Sequence, residues 1–509
     1  MNPQSIHSST DLEPAAKWPV ERYVPLAAWV VAVLVLLLIC LKISAYGYLP
    51  GGDLRRHVAH PFADNKPWTN IVVLRPGYTA DHSPGWEWLL KELHVDLGWD
   101  KDALVSFSIV SLLLCIFIAP LPWLRRPEAW LLALLTVFLT RPSLLGNRLT
   151  QGRPFLLNEA ILIAMLFAWS KPNTDRPSWL KIILTSIGIS LSVWMHSAWY
   201  LWAIPVAAYF LAGAWRSGLW LIVCSGAGTI LGALYSGHPF GLLYTEVQMC
   251  FSIFHENIPQ WMLVGEIAPD TGDIATVAAV VLIFLASRLP GRQKTDAPSG
   301  IWLRPVAVMM VMCWVLGFKV DRFWADWGIP AALVWMTVHY QEFLEEFQAT
   351  AVSKRLAVVA LIAAPLYLAA TNDTGRRYTA NLSQPFLNAE DPALKGWFPD
   401  HNGIFYCTSM DLFYDTFYTN PRGDWRYILG FESAEMPEED LKIMRRIVWN
   451  GGAYEAYRPW IQKMLPGDRL AIFSNSQPSL PQLEWVRAAD YIWIGRLPGA
   501  VTRSESGSK

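Results

Sequence analysis

The 509-residue chain is 53% hydrophobic and 16% charged, carries a formal net charge of −1 and has positive mean hydropathy. That balance is too apolar for a soluble protein of this length and has no global positive field for nucleic acid, so the chain reads as an α-helical polytopic membrane protein. Of the six cysteines, Cys40, Cys115, Cys224 and Cys313 sit in apolar runs, and Cys250 and Cys407 lie far apart. They support no disulfide framework.

The first apolar run, LAAWVVAVLVLLLICLKIS (26–44), suffices for a bilayer core, which takes roughly 20 residues. It is too long for a signal peptide and has no small-residue cleavage site, so it is expected to stay as an anchor. Similar runs near 26–45, 104–122, 128–145, 155–170, 180–196, 198–214, 218–235, 274–288, 303–318, 328–340 and 354–370 predict about eleven spans in a membrane domain covering 1–370. The runs 180–196 and 198–214 also fit one bent hairpin, and 328–340 is short. Lys and Arg concentrate in WLRRPE, SKPNTDRPSWLK, WRSG, SRLPGRQKTDAPSGIWLRP and HYQEFLEEFQATAVSKRL, which places these loops and the N-terminus in the cytoplasm. The outer connections are then 47–103, about 141–154, a turn near His196, 236–273, 319–327 and everything after about 371. RPSLLGNRLTQGRP runs against the rule, with three arginines outside.

The outer segments hold most of the unusual chemistry. YGYLPGGDLRRHVAHPF (46–62) follows the first span directly, and Gly51-Gly52 suggests a sharp turn there. The same loop carries His57, His60, His82 and His94 with Asp53, Asp64, Asp81 and Glu87. Within it, SPGWEWLLKELHVDLGW (83–99) opens on helix-start residues and spaces Trp86, Leu89, Leu90 and Leu93 helically, predicting a helix along the membrane surface. HPFGLLYTEVQMCFSIFHENIPQW (238–261) reads as re-entrant or interfacial. From 371 to 509 the character changes: GIFYCTS, RYILGFE, RLAIFSN and YIWIGRL are short strand-like runs and MPEEDLKIMRRIVWN is a helix, together an extracytoplasmic α/β domain. It has no glycine-rich nucleotide motif, and its expected roles are acceptor selection or docking an envelope assembly partner.

GGDLRRH directly after the first span, a surface helix in the same loop, a second outer segment with its own acid and histidine, and a terminal outer domain together resemble the GT-C superfamily of membrane glycosyltransferases. The resemblance covers the layout of nearly the whole chain, and no subfamily is assigned. It implies a polyprenyl-phosphate-linked sugar as donor and a catalytic acid early in the first outer loop, a place Asp53 occupies here. It also implies transfer to a glycan, lipid or protein acceptor on the outer face, with the protein in a bacterial inner membrane and its terminal domain in the periplasm. The twin acidic motifs of some members and the WWD-type motif of oligosaccharyltransferases are absent.

The residues themselves are compatible with that chemistry. Transfer needs a base for the acceptor hydroxyl and cations for the departing phosphate. Asp53 is the candidate base, with a pKa expected to rise beside low-dielectric lipid. Arg55, Arg56, Arg141, Arg153 and Arg322 are candidate phosphate ligands, since a guanidinium donates two parallel hydrogen bonds. Arg322 equally suits a pair with Asp321 or Asp326, and Arg141 and Arg153 suit headgroup contacts. His57, His60, Asp81, His82, Glu87, His255 and Glu256 are candidates for contacting the acceptor or supporting the site. His57, His60 and Asp64 would share one face of a helix, a spacing compatible with a divalent metal, against simple interfacial hydrogen bonding. His196 reads as a satisfied buried histidine. Trp86, Trp88, Trp324 and Trp327 suit a membrane belt better than sugar stacking. A polymerase or ligase using lipid-diphosphate oligosaccharide, through Arg141, Arg148 and Arg153, is the competing enzyme. A lipid-linked-sugar transporter or flippase is the competing non-enzyme, disfavoured because charges crowd the loops and no internal repeat is apparent.

Overall fold

The computed structural model describes residues 23–46, 52–78, 82–141, 148–170, 176–255, 269, 273–286, 305–346, 352–371 and 386–499. Helix α1 (Tyr23–Tyr46) is apolar nearly all round. Val24, Ala28, Ala32, Val35 and Ile39, spaced by three and four, are buried, while Leu26, Val30, Leu34, Leu37 and Leu41 stand exposed. Small residues turned to protein and leucines turned outward suit a helix with lipid on one side.

Each of the eleven apolar segments carries a helix: α1, α4 (Lys101–Ile118), α5 (Pro127–Thr140), α6 (Phe155–Trp169), α7 (Trp179–Met195), α8 (Ala203–Leu211), α9 (Trp215–Tyr235), α11 (Ile274–Ala286), α12 (Pro305–Gly317), α13 (Ile329–Glu346) and α14 (Val352–Thr371). Among the described residues, Tyr23–Lys42, Lys101–Trp123 and Trp215–Tyr235 are long and apolar enough to cross a membrane, and six further apolar helices run 10–17 residues. One end of the bundle is closed by the Gln341 amide oxygen, which accepts from the backbone N–H groups of Arg125 (2.8 Å) and Arg126 (3.2 Å). Arg355 donates to the buried Glu128 beside it at 2.6 Å. These are segments expected inside.

The opposite end gathers the segments expected outside. Arg141 pairs with Asp321 at 2.9 Å and Asp273 at 3.4 Å, and Trp324 donates to the same Asp273 at 2.8 Å. Three connections far apart in sequence are tied by one arginine and two acids. Three more helices belong to this end: α2 (Gly52–Ala59), α3 (Pro84–Leu97) and α10 (Pro239–His255). Helix α3 starts on Pro84 and ends at Gly98 in the left-handed region (φ 67°), and it buries Gly85, Trp86, Glu87 and Leu90 on one face. In α10, Thr245 and Glu246 are buried while Phe240 and Tyr244 are exposed, the pattern of a surface-lying helix.

The C-terminal domain is a five-stranded sheet, β1 (Ile404–Tyr406), β2 (Arg426–Tyr427), β3 (Arg469–Phe473), β4 (Glu484–Ala489) and β5 (Ile492–Arg496), in the order β2-β1-β3-β5-β4. β1 runs parallel to both neighbours, and β5 pairs antiparallel with β3 and β4. Helices α15 (Met410–Thr419), α16 (Glu438–Trp449) and α17 (Arg458–Lys463) pack with it. The expected RYILGFE strand shrinks to Arg426–Tyr427, and β4 and α15 are elements the sequence reading lacked. The first outer loop extends this sheet at its β2 edge. Tyr427 donates its N–H to Ile71 and receives one from Val73, both at 2.9 Å, so the edge strand's backbone is paired rather than open. Trp68, Ile71 and Val72 share one core with Phe413, Phe417, Tyr427 and Phe431.

Gly52 opens α2 rather than forming a turn, and Gly51 lies outside the described residues. Its lack of a side chain matters for packing, because a Cβ there would stand 2.5 Å from Cδ2 of Tyr414 on α15. Gly52→Ala is therefore expected to cost about 1–3 kcal/mol by overpacking the α2–α15 contact. A thermal melt that matches wild type would refute that.

Candidate functional site

Asp53 is the second residue of α2, directly beyond the first apolar helix. Its carboxylate meets three side chains from three parts of the chain: Arg56 Nε at 3.2 Å, Arg153 Nε at 3.0 Å, and the Tyr414 hydroxyl within 3.5 Å. Burial alone would raise its pKa, but Arg153 and Arg56, helped by His57 and Arg322, outweigh burial and hold the carboxyl well below its ordinary range. The rise expected beside lipid is thus reversed, because the sequence did not reveal which cations would arrive. The Asp53 side chain stays 23% exposed, so a ligand can reach it.

Next to it lies a second carboxylate with a different environment. Glu87, on the buried face of α3, faces His57 Nδ1 at 3.3 Å, His60 Nδ1 at 3.0 Å, the Trp68 indole N–H at 3.2 Å and Arg56 at 3.9 Å. Burial opposes its charge, but His60 and His57 outweigh burial and keep Glu87 ionised far below the usual range. His60 also turns Nε2 to the Lys66 carbonyl at 3.0 Å, so both ring nitrogens face acceptors. Burial and Arg56 push His57 down to about 4, leaving it neutral. The Arg56 guanidinium lies 4.5 Å over the Phe431 ring. Glu87 is thus bonded to the residues around Asp53, a place that fits the supporting role the sequence offered beside acceptor contact.

A third charged cluster joins the two outer loops to the terminal domain. His82 Nδ1 stands 2.6 Å from Glu246 of α10, and its Nε2 stands 2.6 Å from Glu435. Burial disfavours the charge, yet Glu246 and Glu435 together raise the His82 pKa well above its ordinary value. Ser197 bonds Glu246 through its hydroxyl and the His82 carbonyl through its N–H (2.9 Å). His196 beside it differs from the satisfied histidine expected: its buried Nδ1 has no hydrogen-bond partner among the described residues, and burial with Arg322 pushes its pKa down to about 3.

The remaining candidates separate. Arg322 stands 3.8 Å from Asp326 while its charge acts on both Asp53 and His196. Asp326 also pairs with Arg148. Arg55 is buried against Asp415 of α15, and Arg141 is held by Asp321 and Asp273. Of the five arginines, these two face acids other than Asp53, whereas Arg56 and Arg153 face Asp53 itself. The His57–His60–Asp64 metal face also fails to assemble: the histidines converge on Glu87, while exposed Asp64 stands 3.4 Å from Arg422. Among the described residues no three His, Cys, Asp or Glu side chains are grouped to hold a metal ion. Asp81 and Glu256 lie outside the described residues, as does the His255 side chain.

Sequence reasoning missed Glu246, Tyr414 and Glu435. Glu246 had a signal, a single acid inside an apolar helix, which is costly to place without a purpose. Tyr414 and Glu435 had none, because their partners are more than 350 residues away.

No family model matches the sequence, and no curated protein matches it. Among solved structures, the chain is similar to the apo form of the oligosaccharyltransferase of Archaeoglobus fulgidus, at 11% identity and a TM-score of 0.47, over 87% of this chain and 69% of that one.

Proposed function

We propose that the protein is a membrane glycosyltransferase that moves a sugar from a polyprenyl-phosphate donor to a hydroxyl acceptor on the outer face of the membrane. On this reading the N-terminus is cytoplasmic and the C-terminal domain periplasmic. The observation that carries it is the partly exposed Asp53 carboxylate, placed just beyond the first apolar helix between Arg56 and Arg153. A lone base and a paired cation set at the membrane boundary match the two demands of the reaction.

The ion pairs supply a way to time the base. With no donor, Arg56 and Arg153 keep Asp53 ionised and weakly basic. A donor phosphate entering from the bilayer competes for the same guanidinium groups, with Arg322 adding to the positive field. Asp53, released from its partners, gains basicity as the acceptor hydroxyl arrives. It takes the hydroxyl proton, the acceptor oxygen bonds to the anomeric carbon, and the bond from that carbon to the phosphate oxygen breaks. Its electron pair leaves on polyprenyl phosphate, which the arginines hold.

The test is to place the purified chain in lipid nanodiscs with polyprenyl-phosphate sugars and a mixture of acceptors, and to follow release of polyprenyl phosphate. Release above a protein-free control is expected, and none with any donor would overturn the reading. Arg153→Ala adds a pH signature. Asp53 is held low in the fold, so its stabilising pair is present above the unfolded carboxylate pKa of about 3.9 and is lost as pH falls. Removing Arg153 raises the folded pKa, so the acid limb of the pH–rate profile should move to higher pH. An unmoved limb would mean that Arg153 does not act on the base.

A further inference from the structure

The C-terminal domain contains a cavity with a mixed polar and apolar lining. It has a volume of about 220 Å³ and lies where the start of α15 meets the ends of β3 and β5. Its lining is of two kinds: Ser409, Asp411, Asp415 and Thr416 are polar, whereas Phe473 and Tyr491 bring aromatic rings. Below the ~300–1,000 Å³ of pockets for drug-sized ligands, it is the size of one sugar ring.

The two sets are chemically unlike each other. Phe473 and Tyr491 are 38% and 39% exposed, and their rings lie 5.9 Å apart at 31°. Such a pair presents apolar ring surface to a ligand that is apolar on one side. Thr416 also borders the cavity, but it is fully buried and its hydroxyl is closed to solvent. Ser409 accepts the Asp411 N–H at 3.2 Å and keeps its own hydroxyl proton to donate, while the exposed Asp411 carboxylate can only accept. Asp415 is neutralised by Arg55. Two carboxylates in the wall exclude an anion, and the cation from α2 is already committed to one of them.

The geometry points to a saccharide subsite that takes one neutral sugar ring, apolar C–H face against Phe473 and Tyr491, hydroxyls to Asp411 and Ser409. Its position connects it to the proposed reaction: α15 presents Tyr414 to Asp53 and, one residue on, Asp415 to Arg55 of the same helix α2. The sugar held there is a ring of a glycan acceptor. That assignment of role rests on the glycosyltransferase reading above, whereas the binding itself does not.

The experiment is saturation-transfer NMR on the full chain in nanodiscs, with D-glucose, D-galactose, D-mannose and N-acetyl-D-glucosamine and no lipid donor. Saturation of ring protons is expected for at least one sugar. Tyr491→Ala and Asp411→Ala, both at positions open to solvent, should each weaken binding about tenfold with thermal melts like wild type. Asp53→Asn should bind the sugar normally. No transfer to any sugar, equal transfer in both cavity variants, or displacement of the sugar by magnesium or calcium would overturn the subsite. Sugar binding without release of polyprenyl phosphate from any donor would sink the enzyme reading and leave the subsite standing. Release without sugar binding would do the reverse.

Discussion

Asp53→Asn is expected to lower sugar transfer by about 10²–10⁴, the usual worth of general-base help, while donor binding survives. The amide keeps the shape of the side chain and removes the charge that Arg56 and Arg153 now grip. Those arginines are then less committed, so affinity for a polyprenyl-phosphate sugar should hold or improve as turnover falls. The opposing movement separates a base from a structural anchor: loss of a purely structural contact would weaken binding and lower the melting temperature together. The measurement is a pair of titrations, donor binding and single-turnover transfer, on variant and wild type in nanodiscs. Near-normal turnover would remove Asp53 from the mechanism.

Glu87→Ala should instead act on stability. His57, His60, Trp68 and Arg56 all point at this one buried carboxylate, and truncation leaves them facing a cavity with no acceptor. Breaking a buried charged pair by removing one partner costs about 3–5 kcal/mol, a large part of the ~5–15 kcal/mol that holds a domain folded. Trp68 packs at 4.8 Å edge-on to Phe431 of the C-terminal domain, so the loss should spread to the docking of that domain. Melting in detergent and protease cutting within residues 60–78 would both report it. Glu87→Gln should rescue only in part, since its amide nitrogen faces donors where an oxygen is needed. If Glu87→Ala melts like wild type but fails in transfer, Glu87 belongs to the chemistry and the division of labour drawn above between the two carboxylates is wrong.

Several features were legible from residue order. The apolar runs marked the helices, because a stretch of leucines, valines and isoleucines is costly to expose wherever it ends up. Ser83-Pro84 marked the start of α3, since helix-start preference is decided by residues a few positions apart. GIFYCTS, RLAIFSN and YIWIGRL contain strands for the same local reason. Helix α15 escaped because MDLFYDTFYT mixes aromatics with β-branched threonine, residues without strong helix preference. Its helicity comes from the Ser409 cap and from burying Leu412, Phe413 and Phe417 against the sheet and the first outer loop.

What the order of residues determined by itself was thus the apolar helices, the polar segments between them and the position of Asp53 just past the first. Only the tertiary structure decided the state of that carboxylate. Local reasoning predicted a raised pKa from burial, and the fold brought Arg153 from beyond α5 to join Arg56 and reverse it. It likewise turned Arg55 and Arg141 away to other acids and joined His82 to Glu246 and Glu435. The physical reason is range: capping and periodicity act over a few residues of chain, whereas a charge responds to whatever lies within several ångströms in space, and sequence separation does not encode that distance.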